Sequence, residues 1–158
     1  MTQEDKELLF IDLCFKFPYG IKFPYHKEED CNHRECDCIA TIDTITEETV
    51  EFTYDENGRI RDWSCLLSEV KPFLRPLSSM TEEERKEINK SYNFSDFGSI
   101  TIRYHMEGWW DNDTECSLKD YLYLINWLNK HHFDYQGLIE KGLALEAPKE
   151  MYIKLDRL

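Results

Sequence analysis

Glycine is scarce in this chain, with six residues in 158. No Walker A loop, Rossmann glycine fingerprint, H-E-x-x-H or G-x-S-x-G occurs in it. The usual local signatures of phosphate cradles, zinc proteases and α/β-hydrolase nucleophiles are therefore missing. Long apolar runs are missing as well: none approaches the roughly 20 residues of a membrane-spanning helix. Positive charge is in short supply, with 19 Lys and Arg against 32 Asp and Glu and a formal net charge of -13. No basic run occurs, so direct binding to a nucleic-acid backbone is not expected, because that affinity comes mostly from clustered Lys and Arg. The acidic excess suits a basic protein partner, nucleic-acid mimicry or an ordinary acidic surface, and composition alone does not separate these. The opening MTQEDKELLFIDLCFKF carries acidic residues where a secretory signal needs basic ones. The expectation is a cytoplasmic protein whose six cysteines are thiols or metal ligands rather than a disulfide framework.

With 41% hydrophobic and 14% aromatic residues the chain has material for a core, so disorder throughout is excluded. Its length favours one domain over 1–158, β-rich over about 18–70 and helix-rich over about 71–158. Residues 4–14 read as a helix of about two turns on the spacing of Leu8, Leu9, Ile11, Leu13 and Cys14. Pro18 and Gly20 punctuate it. Residues 21–25 read as an edge strand, because Pro24 cannot donate to a central ladder. Residues 26–38 read as a polar loop. Residues 39–63 read as a β-meander: Val50, Phe52 and Tyr54 alternate with polar residues, and Asn57-Gly58 is a strong turn. Residues 71–80 read as extended and irregular around Pro72 and Pro76. Thr81 and Glu84 have the spacing of a capping box that opens a largely exposed helix. Residues 99–106 alternate as a strand and 108–115 form a loop. The clearest helix spans 118–131, with Leu118, Tyr121, Leu122, Ile125, Leu128 and His132 as its stripe, widened by Leu124 and Trp127. A shorter helix over about 135–141 ends at Gly142, and Met151, Ile153 and Leu155 suggest a last edge strand. With no repeated βαβ unit, the expected fold class is α+β: a small antiparallel sheet packed with two to four helices.

The densest chemistry is CNHRECDC, which places Cys31, His33, Cys36 and Cys38 within eight residues. Thiolates and imidazole suit zinc, and four such ligands match a structural tetrahedral site. The spacing C-x-H-x2-C-x-C is tighter than routine zinc motifs. A workable site would take two of these residues plus distant ligands from His26, Cys65, His105, Cys116, His131 and His132. The competing readings are a polar loop with reduced cysteines and a redox pair at Cys36 and Cys38, which lacks C-x-x-C spacing. No cofactor is otherwise implied. His131 and His132 end the long helix. Adjacent helical residues diverge by about 100°, so one should face the core and the other solvent. A helix C-terminus would favour their protonated form. Asp111 and Asp113 flank Asn112 as in the start of a cation loop, without the glycine and glutamate that would complete one. They follow Trp109 and Trp110, large aromatics of the kind that anchor protein interfaces. The four together form a candidate partner-binding patch.

Three islands, DLCFKFPYG (12–20), KPFLRPLSSMTEEE (71–84) and WLNKHHFDYQGLIEKGLALEAP (127–148), resemble a group of small proteins of gut Bacteroidales and their phages or prophages. That group carries no assigned activity, so the resemblance implies a phage or mobile-element setting and transfers no site residue. CNHRECDC lies outside the resembling islands and reads as an insertion in a variable β-region. The function expected from the sequence is therefore a small, acidic, cytoplasmic protein-interaction or accessory protein, phage-encoded and without enzymatic activity. The alternative is a zinc-stabilised accessory domain. A small hydrolase-like enzyme using His131 or His132 with Asp111 or Asp113 ranks third. Oligomeric state is left open.

Overall fold

A capping box starts the first helix. The Thr2 hydroxyl accepts from the Asp5 N–H and the Asp5 carboxylate accepts from the Thr2 N–H, each at 3.1 Å. These contacts satisfy donors that a helix start leaves free. In the computed structural model, which describes residues 1–26, 37–92 and 118–152, helix α1 spans Gln3–Lys16. It is longer than the apolar spacing suggested. It closes through a single 3-10 turn, Phe17–Tyr19, and Gly20 at φ 75°, a left-handed conformation that costs glycine nothing.

The expected meander is present and longer than anticipated. Strands β1 (Lys22–His26), β2 (Asp37–Ile45), β3 (Thr49–Glu56) and β4 (Arg59–Leu66) form an antiparallel sheet in that order. Pro24 lies on the edge strand β1, where its missing N–H is tolerated. The Asn57-Gly58 turn joins β3 to β4 with φ of 54° and 83°, the pair of positive angles a two-residue type I′ hairpin requires. The register slips between Ile42 and Thr44 in β2, leaving Asp43 at an irregularity. On one face of the sheet Phe23, Ala40, Ile42, Val50, Phe52 and Tyr54 are buried with Leu9 and Leu13 of α1. Phe23 meets Phe52 edge to face at 5.0 Å, a favoured aromatic geometry.

A second sheet was not expected. The Pro-flanked segment read as irregular contains β5 (Phe73–Pro76), the centre of three short parallel strands ordered β6-β5-β7. β6 is Phe133–Asp134 and β7 is Leu145–Glu146. Pro72 precedes the strand and Pro76 is its last residue, and the Arg75 N–H between them donates to the His132 carbonyl at 2.8 Å. Helix α2 (Glu82–Tyr92) opens with the expected capping box, the Thr81 N–H donating to Glu84 at 2.8 Å and the Glu84 N–H to Thr81 at 3.2 Å. Helix α3 spans Leu118–Lys130. Its buried apolar residues among those described are Leu124, Trp127 and Leu128, which join Met80, Ile88 and Phe133 in a second core cluster. Leu122, placed in the stripe from the sequence, is 53% exposed. Residues 135–141 form turns rather than a helix, because the Asp134 carboxylate takes the Leu138 and Ile139 N–H groups at 2.9 and 2.8 Å. The strand expected at 99–106 and the loop at 108–115 lie outside the described residues, as does the last strand beyond Tyr152.

Candidate functional site

Two features carry unusual chemistry, and the first is enclosed. On α1 the four-residue spacing of Asp12 and Lys16 brings their side chains together. Both are fully buried and hydrogen-bonded to each other. Burial pushes the Asp12 carboxyl up and the Lys16 ammonium down, and their mutual attraction opposes both shifts. Gln136 donates to Asp12 at 3.2 Å, and the Lys16 ammonium sits 4.6 Å over the Tyr135 ring. A few residues away His132 is fully buried. Its Nε2 lies 3.1 Å from the Tyr19 carbonyl. That contact places the proton on Nε2, since a carbonyl only accepts. Tyr152 stacks on the ring at 3.8 Å, and its hydroxyl donates to the Phe73 carbonyl at 3.1 Å. Burial lowers the His132 pKa to about 3, with the Lys16 charge adding to the effect.

The expectation of one core histidine and one solvent histidine is thus corrected. His131 and His132 are 5% and 0% exposed. The helix ends at Lys130 and His132 takes φ 56°, so the helical divergence of neighbouring side chains no longer applies. His131 stacks on Trp127 at 3.9 Å, while His132 turns toward Tyr19. Nor is His132 held protonated by the helix end, because desolvation outweighs the dipole.

A second ionic group, Arg75 with Glu84, joins β5 to α2. The guanidinium forks onto both Glu84 oxygens at 2.7 and 2.9 Å and lies 4.2 Å over the Phe133 ring. Burial pushes Glu84 up, but the Arg75 bonds and the Thr81 N–H outweigh it, so its carboxyl sits below the ordinary range. These three groups draw on three well-separated segments of the chain. Asp12, Lys16 and Tyr19 come from the first, Arg75 and Glu84 from the second, and His132, Asp134, Tyr135 and Gln136 from the third. They tie α1, β5 and the 131–139 segment together.

The second feature is open. All residues of β4 are exposed except Cys65, which is half-buried. Direct pairing of Phe52 with Trp63 and of Val50 with Cys65 places Trp63 and Cys65 on the core side of the sheet. Trp63 nevertheless remains 58% exposed. On the other face, Ile60 and Leu66 are 68% and 54% exposed, with Asp62 and Ser64 between them. An open hollow of about 600 Å³ beside β3 and β4 is lined by Asp43, Glu51, Phe52, Asp62, Trp63 and Ser64.

β4 ends the strand order, so one edge has no strand beside it among the described residues. The direction of its free groups follows from the hairpin. A two-residue turn makes Glu56 and Arg59 a hydrogen-bonded pair, and such pairs alternate along an antiparallel ladder. Residues 59, 61, 63 and 65 therefore bond to β3, and Ile60, Asp62, Ser64 and Leu66 point their N–H and C=O groups outward. Two bonds just beyond fit that alternation: Leu67 N–H donates inward to the Glu48 carbonyl, and Leu66 N–H donates to the Glu69 carboxylate, each at 2.8 Å. Glu69 thus occupies one end of the row and leaves Ile60, Asp62 and Ser64.

Of the metal-ligand set, Cys31, His33 and Cys36 lie outside the described residues. Cys38 does not belong to the loop in which it was placed. It is in β2 opposite Tyr25, half-buried against the main core. Cys65, a proposed distant ligand, is on β4, and burial raises its thiol to about 11. Among the described residues no group of three or more His, Cys, Asp and Glu could hold a metal ion. Trp109, Trp110, Asp111 and Asp113 also lie outside the described residues, as do His105 and Cys116. Asp12 and Lys16 had a sequence signal in their helical spacing. The openness of β4 had one in IRDWSCL, which lacks the apolar alternation of β3. Comparison with protein-family models, curated proteins and solved structures gave no match.

Proposed function

We propose that this chain is a small, acidic protein-interaction or accessory protein, without enzymatic activity of its own, whose contact surface is the β4 side of the sheet. The observation that carries this reading is the state of β4: an eight-residue strand with exposed Ile60, Trp63 and Leu66 and an outward row of backbone groups. Unpaired strand edges are templates for pairing with another chain, and proteins usually blunt them. Large aromatics at such places are frequent binding anchors. The buried ionic groups serve a different purpose in this reading. Lys16 and Asp12 are enclosed and committed to each other, so they hold α1 in place rather than meet a substrate. The setting proposed with it, a phage or mobile element, rests on the resemblance of the three islands alone.

A photo-crosslinking amino acid installed at position 63 in the producing cells tests the reading. The expected result is one discrete protein adduct, absent when the same group replaces exposed Glu7 on α1, whose purified partner binds the unmodified protein. Equal labelling from both positions, or no adduct at 63, overturns it.

A further inference from the structure

The charges beside β4 narrow the partner further, on the basis of the interaction reading above. The outer face of β3 and β4 presents Glu51, Asp55 and Asp62, all exposed, and no basic residue. Asp43 adds a fourth carboxylate at the β2 irregularity and lines the same hollow as Glu51 and Asp62. On the opposite face Arg61 is engaged, its Nε 3.0 Å from Glu56. An incoming strand that pairs with Ile60, Asp62 and Ser64 would therefore meet different chemistry on its two sides. Its outward side chains would lie against carboxylates and the exposed Ile60. Its inward side chains would lie beside the exposed Trp63.

We infer that β4 takes up an extended peptide segment of a partner protein as a fifth strand, with Lys or Arg alternating with apolar residues. The basic side chains would rest over Glu51 and Asp62, their methylene stems covering Ile60. The apolar residues would pack on Trp63. Backbone bonds to Ile60, Asp62 and Ser64 would supply affinity, and the alternation would supply specificity, as in strand-addition complexes generally. A second copy of this chain is the weaker occupant. Each copy carries -13, and pairing two β4 edges would bring two sets of these carboxylates together.

The inference is tested with a short capped peptide of alternating valine and lysine, against the same peptide with glutamate for lysine, in titrations followed by amide NMR. The expected result is saturable binding of the lysine peptide, with amide shifts and slowed exchange at Ile60, Asp62 and Ser64, and none for the glutamate peptide. Ser64→Pro removes only an outward N–H, which an edge strand tolerates, and should weaken binding about tenfold or more. Asp62→Lys should weaken it comparably, and about 0.5 M salt should weaken it in the unmodified protein, since exposed charges are then screened. Circular dichroism confirms that each variant is folded. Equal binding of the glutamate peptide, undiminished binding by folded Ser64→Pro, or a concentration-dependent dimer protected at β4 overturns the inference. If the adduct at position 63 persists while the peptide arms fail, the interaction reading stands and only the basic strand falls. If the adduct is also absent, both fall.

Discussion

His132 should make this protein sensitive to mild acid, and the effect can be isolated. In the folded state the imidazole is enclosed, donates from Nε2 to the Tyr19 carbonyl and stacks on Tyr152. Burial, together with Lys16, His131 and Lys22, lowers its pKa to about 3, against the Tyr19 carbonyl, which raises it. An unfolded histidine titrates near 6.5. Below about pH 6.5 the unfolded chain therefore binds a proton that the folded chain refuses, and stability falls as pH falls, at up to about 1.4 kcal/mol per unit. Between pH 7 and pH 5 the integrated loss from this one residue is about 2 kcal/mol. Asp12 works in the opposite direction, because its carboxyl is raised on folding, but it is common to both proteins compared here. The comparison is with His132→Asn, since asparagine accepts the φ of 56° that most side chains resist. The variant loses the stacking on Tyr152 and is less stable at every pH. The diagnostic is the slope: urea denaturation at pH 7, 6 and 5 should show about 2 kcal/mol less acid destabilisation in the variant than in the parent. An unchanged slope would mean that His132 charges freely in the folded state, and the reasoning would be refuted.

Other substitutions test the remaining contacts. Asp12→Leu strands the buried Lys16 ammonium and should cost about 3–5 kcal/mol in chemical denaturation. Adding Lys16→Met should recover most of that loss, and failure to do so would mean that the pair is not the source. Arg75→Lys cannot reproduce the fork onto Glu84 or the contact over Phe133 and should cost about 2 kcal/mol. An unchanged denaturation midpoint would show that the fork is dispensable. Gly58→Ala must hold φ 83°, at a cost of about 1–2 kcal/mol, and no cost would show that the turn can change type. Chelation should leave the melting temperature unchanged, because Cys38 is packed against the core beside Tyr25. Stoichiometric zinc with a lowered melting temperature on chelation would favour the zinc-stabilised alternative.

Elements governed by local rules were legible in the sequence. The Asn57-Gly58 turn, the Thr81–Glu84 capping box and the edge position of Pro24 each follow from short-range geometry, and each is found where expected. The antiparallel meander followed from the alternation of Val50, Phe52 and Tyr54. What escaped depends on distant residues. β5 is a strand because the chain at 132–134 and 145–147 returns to pair with it, and nothing within KPFLRP announces those partners. The segment after Asp134 has the composition of a helix, yet one carboxylate diverts its first N–H groups into a turn. α1 shows the same limit on its surface. Apolar spacing selected Ile11 and Cys14, but those residues are exposed, while Asp12 and Lys16 are enclosed. A charged pair is buried only when each member finds the other and the surrounding groups complete the shell, and Gln136 and Tyr135 come from more than 100 residues away.

The acidic surplus and the open strand are better understood together than apart. An eight-residue edge with an exposed tryptophan would ordinarily invite self-pairing. Here β4 carries Arg59 and Arg61, which alone would ease the approach of a second acidic copy. Arg61 is engaged by Glu56, however, and the outer face shows only Glu51, Asp55 and Asp62. Repulsion between molecules of charge -13 opposes association over about 8–10 Å at ordinary ionic strength. The same field attracts a basic strand and raises its rate of encounter. One charge distribution would then keep copies apart while admitting a partner. Raising salt should consequently have opposite effects on the two processes: it should promote self-association through β4 and weaken capture of the lysine peptide. Sedimentation velocity and peptide titration across the same salt series measure both. Parallel changes in the two would show that charge is not what selects the occupant of the edge.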